Sequence, residues 1–91
     1  MDTDESNKTI GILVRKIRTQ LGLSQHQLGR LTGTSGSYIS YVESGKAIPS
    51  LVFSYKIEIG FNLKNPDLTR LKNEMALNQA KQEMLIERTA G

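Results

Sequence analysis

Apolar residues recur along this chain at intervals of three and four, which is the spacing of one face of an α-helix. In the first such stretch they are Ile10, Leu13, Val14, Ile17 and Leu21. Polar and charged side chains fill the positions between them, and Gly22 follows the last one. The pattern predicts an amphipathic helix over residues 8–21.

Two short helices are predicted next, over residues 24–32 and 35–44. Ser24 is a typical N-cap, with Gln27 three residues later as its capping-box partner, and Ser35 is placed to cap the second helix. Gly33 lies in the turn between them, where glycine takes a positive φ without steric cost. Gly45 is the predicted end of the second helix. The pattern is therefore helix, tight turn, helix.

The rest of the chain predicts two further helices. Ser50 is expected to cap a fourth that ends near Gly60, although its β-branched and aromatic residues also suit a strand. Asn65 and Pro66 begin a fifth that runs to about Glu87. Two apolar stripes compete along this last helix: one has Leu68, Leu71 and Met75, and the other has Leu77, Ala80 and Met84. It is predicted either to fold over the other helices or to pair with a second copy.

Composition narrows the class of protein. The chain has 91 residues, enough for one domain, and no cysteine, so it carries no disulfide framework. The apolar run over residues 10–14 is too short to span a bilayer. Acidic residues precede it where a signal peptide would be basic, so we expect a cytoplasmic protein without a membrane segment. Residues 1–7 are polar and acidic and predict a disordered leader.

Charge is unevenly distributed. The formal net charge is +3, and residues 8–50 hold six basic side chains against one acidic side chain. A basic excess in the segment with the two short helices is typical of a surface that faces phosphates. No spacing of residues suggests a metal site, a cofactor site or catalytic machinery, so we expect a protein that is not an enzyme. His26, the one histidine, is expected to be an inert surface group.

Over residues 10–63 the chain resembles the Cro/repressor-type helix-turn-helix regulators of phages, plasmids and bacteria. The resemblance rests on Arg18, the run LGLSQ at residues 21–25, Leu28, Gly33, Ser35, Ile39, Ser40, Glu43, Gly45, Lys46, Pro49 and Ser50. It implies an all-α bundle of four or five helices of the lambdoid-repressor type. Residues 8–63 would form the DNA-binding domain, and residues 64–91 a helical segment for dimerisation or packing.

The resemblance also assigns residues to a DNA interface. Gln25 matches a residue that binds a backbone phosphate, and Ser35 lies at the cap of the helix that reads DNA. Gly36, Ser37 and Tyr41 match positions that touch base edges. Phosphate or backbone contacts are implied for Tyr38, Ser44 and Lys46. Arg18 and Glu43 match a structural pair that ties the first helix to the third.

Two departures from the family's pattern affect the expected chemistry. Gly36 stands where the family often has a long polar side chain, and no Arg, Lys, Asn or Gln lies between residues 33 and 45. Direct reading of bases by this helix is therefore expected to be sparse. Gly29 stands where the family usually has alanine, which predicts a slightly weaker second helix.

The sequence thus predicts a transcriptional repressor that binds a palindromic operator in double-stranded DNA as a homodimer. The alternative is an antitoxin-like or accessory module that holds a protein partner through residues 64–91 and binds DNA secondarily.

Overall fold

The computed structural model describes residues 2–61 and 65–90, with side chains described over residues 5–61 and 65–84. These residues form five helices and no strand. The helices are α1 (Asp2–Gln20), α2 (Gln25–Leu31), α3 (Gly36–Glu43), α4 (Leu51–Phe61) and α5 (Pro66–Ala90). The predicted all-α fold is confirmed, and the fourth element is a helix rather than a strand.

One hydrophobic core joins all five helices. Its buried members are Ile10, Leu13, Val14, Ile17, Leu28, Ile39, Val42, Phe53, Ile57, Leu68, Leu71 and Met75. The largest contacts of α1 are with α5, which runs beside it in the opposite direction, since Gln20 meets Asp67 and Ser6 meets Asn78. The core thus binds the short α2 and α3 to a pair of long helices.

The two stripes of α5 lie on opposite sides of the helix. Leu68, Leu71 and Met75 are buried, whereas Leu77 and Met84 are half exposed. At 100° per residue the second stripe faces directly away from the first. The first half of α5 therefore packs within the molecule and leaves a second apolar stripe on the surface.

The predicted disordered leader over residues 1–7 is wrong for residues 2–7, because α1 begins at Asp2. Asn78 continues the buried stripe of α5 and is only 5% exposed. Its Nδ2 donates to the Ser6 hydroxyl at 3.1 Å, and its Oδ1 accepts from Gln82 Nε2 at 3.1 Å. This buried amide needs a partner, and the extra turns of α1 provide one. Met1 lies outside the described residues.

Local signals set the ends of α2 and α3. The Ser24 hydroxyl accepts from the Gln27 amide at 3.0 Å, while Gln27 Oε1 accepts from the Ser24 amide at 2.8 Å. The Ser35 hydroxyl accepts from the Tyr38 amide at 3.1 Å. Gly33 has a φ of 71°, which favours glycine in the turn. The capping residues and the turn glycine recognised in the sequence thus set the bounds of the helix-turn-helix.

Glycines allow two other helices to approach the backbone of α3. A Cβ added to Gly11 of α1 would lie 2.5 Å from the Val42 carbonyl oxygen and 2.7 Å from the Glu43 carbonyl oxygen. A Cβ added to Gly29 of α2 would lie 2.5 Å from the Ser35 carbonyl carbon. Gly29 therefore has a packing role at the start of α3, besides its expected cost in helix propensity.

We predict that Gly11→Ala destabilises the protein by about 2 kcal/mol, because the new methyl group meets rigid backbone and forces α1 away from α3. This loss would exceed the gain of about 1 kcal/mol in helix propensity. Urea unfolding followed by circular dichroism measures the change. The control is Ile12→Ala, at the next residue, which is 64% exposed and should change stability by less than about 0.5 kcal/mol. A Gly11→Ala variant as stable as the parent would contradict the packing role.

Candidate nucleic-acid interface

A surface groove of about 400 Å³ lies between the first turn of α2 and the outer face of α3. Its lining residues are Gln25, His26, Gly36, Ser37, Ser40 and Tyr41. We call it the α2–α3 groove. Gln25, Gly36, Ser37 and Tyr41 were predicted interface residues, and the structure brings these four together. His26 and Ser40 were not predicted to belong to it.

The exposed face of α3 carries hydroxyl groups and one aromatic ring. Ser37 and Ser40 are exposed, and Tyr41 is 54% exposed. The opposite face carries Ile39 and Val42, which are fully buried. Ser40 lies one helical turn after Ser37, so helical spacing alone was a signal that it shares this face. The face can donate and accept hydrogen bonds without carrying a charge.

The remaining predicted contacts lie around α3 in different environments. Tyr38 is half-buried and packs against the core. Ser35 is exposed at the start of the helix, where its oxygen caps the Tyr38 amide. Ser44 is exposed at the other end and donates its hydroxyl to the Tyr41 carbonyl at 3.0 Å.

A pair of lysines marks the C-terminal end of α3. Lys46 is exposed, two residues beyond the Ser44 cap. Lys8 of α1 is also exposed, and its Cγ lies 3.6 Å from the position of a Cβ on Gly45. Lys8 was not among the predicted interface residues, because only the packing of α1 on α3 brings it beside Gly45. Together the lysines give this end of the surface a positive charge.

Beneath the interface, Glu43 joins three helices. Arg18 Nε of α1 donates to Glu43 Oε2 at 2.6 Å and Arg18 Nη2 donates to Oε1 at 3.2 Å. Gln25 Nε2 of α2 donates to Oε1 at 3.2 Å. The Arg18 and Glu43 side chains are only 14% and 7% exposed. The pair expected from the sequence is thus present, largely withdrawn from water.

This network also orients Gln25. The residue is half-buried, and one N–H of its side-chain amide is directed at Glu43. A primary amide has a second N–H and a carbonyl oxygen. The side chain of Gln25 is therefore held in one orientation at the α2–α3 groove. Its second N–H is available to donate to a ligand.

Metal-binding clusters and membrane-spanning helices are both absent from the described residues. Among residues 5–61 and 65–84, whose side chains the structure describes, no three His, Cys, Asp or Glu residues are grouped so that they could hold a metal ion. In the same ranges no helix is both long enough and apolar enough to cross a membrane.

Comparisons with known proteins agree with this geometry. The helix-turn-helix family model matches residues 14–72. The chain is 33% identical over 61 residues to the uncharacterized HTH-type transcriptional regulator YgzD of Bacillus subtilis (strain 168), covering 67% of this chain and 92% of that protein. It is 36% identical over 55 residues to an uncharacterized HTH-type transcriptional regulator of Archaeoglobus fulgidus, covering 60% of this chain and 79% of that protein.

We predict that Glu43→Gln destabilises the protein by about 3 kcal/mol, because it leaves the Arg18 guanidinium largely buried without its counter-charge. Urea unfolding measures the loss. The matched control is Glu58→Gln, since Glu58 pairs with Lys72 where both side chains are more exposed, at 38% and 27%. That change should cost less than about 1 kcal/mol. Equal losses at the two sites would contradict a special role for the Glu43 network.

Proposed function

Because the chain belongs to the helix-turn-helix family of DNA-binding transcriptional regulators, we propose that it is a repressor that binds an inverted-repeat operator as a homodimer. The observation that carries the proposal is the α2–α3 groove. It places the exposed hydroxyl groups of α3 beside a glutamine that is held by a buried carboxylate.

The outer face of α3 supplies the reading surface in this proposal. A helix fits the major groove of B-DNA, where each base pair presents its own pattern of donors, acceptors and methyl groups. Ser37 offers a hydroxyl to base edges, and Gly36 contributes its backbone at the start of the helix. Tyr41 offers both a hydroxyl and a ring that packs against a thymine methyl group.

Groups around α3 position the protein on the phosphates. Gln25 donates at one side of the helix, and Lys46 supplies positive charge at the other. Ser35 and Ser44 lie at the two ends, and the Tyr38 hydroxyl adds a contact from the half-buried ring. Such contacts give affinity and register, and carry no sequence information themselves.

Dimerisation compensates for the small reading surface of one α3. Linking two half-site contacts raises the overall affinity far above that of either one. Two-fold symmetry then requires half-sites about one helical turn of DNA apart, roughly 34 Å. The exposed stripe of α5, with Leu77 and Met84, is the surface we assign to the second copy. A bound dimer would repress by covering DNA that polymerase needs, and the proposal accordingly includes a cytoplasmic location.

The exposed α5 stripe also fits the second candidate function, an antitoxin-like or accessory module that holds another protein. Leu77 is 50% exposed and Met84 is 55% exposed, so the stripe offers apolar area to either kind of partner. A chain that stays monomeric alone and on DNA would favour this candidate over the repressor.

Selection from random duplexes at stated salt concentrations tests the DNA proposal. We predict enrichment of a palindrome. Gln25→Ala should weaken binding nearly uniformly across sequences, because it removes a phosphate contact. Tyr41→Ala should relax preference at particular positions, because it removes a base contact. Binding that enriches no palindrome and vanishes at moderate salt would contradict the proposal, since only non-specific electrostatics would remain.

Sedimentation or light scattering, with and without operator DNA, tests the dimer. We predict that Leu77→Lys shifts the protein toward the monomer and lowers operator affinity at least tenfold, because it places two charges in the apolar contact. The control is Gln79→Lys, which adds the same charge at an exposed residue on a different face of α5. If both variants dimerise like the parent, the second copy does not use this stripe.

A further inference from the structure

His26 occupies a position that the interface described above does not explain. It is the second residue of α2, it is exposed, and it lines the α2–α3 groove with Ser37 and Ser40 of α3. Its side chain therefore lies on the surface that faces DNA in the proposed function, although it belongs to the other helix of the pair.

Gly36 lets α3 begin in close contact with α2 at His26. A Cβ added to Gly36 would lie 3.2 Å from both the Cα and the backbone nitrogen of His26. The first residue of α3 is thus packed directly against the backbone of His26. A side chain at residue 36 would meet this backbone and push α2 and α3 apart. Glycine therefore keeps His26 beside Ser37 and Ser40 in the groove.

The chemistry of α3 leaves a role for such a group. The side chains that α3 contributes to the groove are Ser37, Ser40 and Tyr41, all of them hydroxyl groups. A hydroxyl both donates and accepts, so it discriminates weakly between bases. An imidazole N–H is a directional donor, and the acceptor that purines present in the major groove, and pyrimidines lack, is N7.

We propose that His26 is a specificity-determining residue, whose imidazole N–H donates to a purine N7 from α2, beside the start of α3 that Gly36 holds close to it. The inference rests on the proposed function and adds to it. In each half-site one purine is then selected by α2 rather than by α3.

Selection from random duplexes with the full chain and with His26→Ala tests the inference. We expect His26→Ala to lose preference for a purine at one position of each half-site by about tenfold, and to keep the remainder of the palindrome. The variant should fold, because His26 is exposed and alanine favours a helix. The control is Gln25→Ala, at the neighbouring residue, which should lower affinity without changing the preferred sequence.

A duplex with 7-deazapurine at the selected position removes the N7 acceptor and keeps base pairing. It should weaken binding of the parent chain about tenfold and have no further effect on His26→Ala. A uniform loss for His26→Ala would overturn the inference in favour of a phosphate contact, and an unchanged preference would overturn it outright. If the parent chain enriches no sequence, the proposed function fails and this inference fails with it. A palindrome that His26→Ala leaves intact overturns the inference alone.

Discussion

The position of α3 depends on two places where another helix touches its backbone. Gly29 brings α2 against the Ser35 end, and Gly11 brings α1 against the Val42–Glu43 end. Backbone atoms cannot change rotamer, so these contacts fix α3 more firmly than side-chain packing does. These contacts fix the positions of the exposed side chains of α3 relative to those of α2. They do so although α3 has only eight residues and buries only Ile39 and Val42.

The buried carboxylate of Glu43 depends on this close packing. With the end of α3 pressed against α1, Arg18 reaches it with two nitrogens, and Gln25 reaches it from α2. A charge pair that is withdrawn from water adds little net stability, since its desolvation offsets much of its attraction, and we infer that this pair serves to hold one arrangement. Here the arrangement is the angle between α2 and α3 and the orientation of Gln25. The network thus links the core to the groove above it.

The sequence predicted what short-range signals encode. Ser24, Gln27, Gly33 and Ser35 act within one helical turn, and the helix-turn-helix they predict is present. Apart from the Arg18–Glu43 pair, which the family resemblance implied, it did not predict what depends on long-range contacts. Residues 2–7 are helical, and within them Ser6 accepts a hydrogen bond from Asn78, which is 72 residues away in the sequence. The packing roles of Gly11 and Gly29 require knowledge of which helices touch. Lys8 and His26 join the candidate interface only because α1 and α2 carry them there.

Charge and hydrogen-bonding groups are separated on this surface. The exposed face of α3 carries hydroxyl groups, while Lys8 and Lys46 lie at its C-terminal end. Contacts to phosphates hold any DNA, whereas hydrogen bonds to base edges distinguish one base from another. In the proposed function, the uncharged outer face of α3 adds little to non-specific binding and leaves affinity to the surrounding residues. Because the side chains of this reading helix are short, the residues of α2 that line the same groove then determine how much more sequence the protein can read.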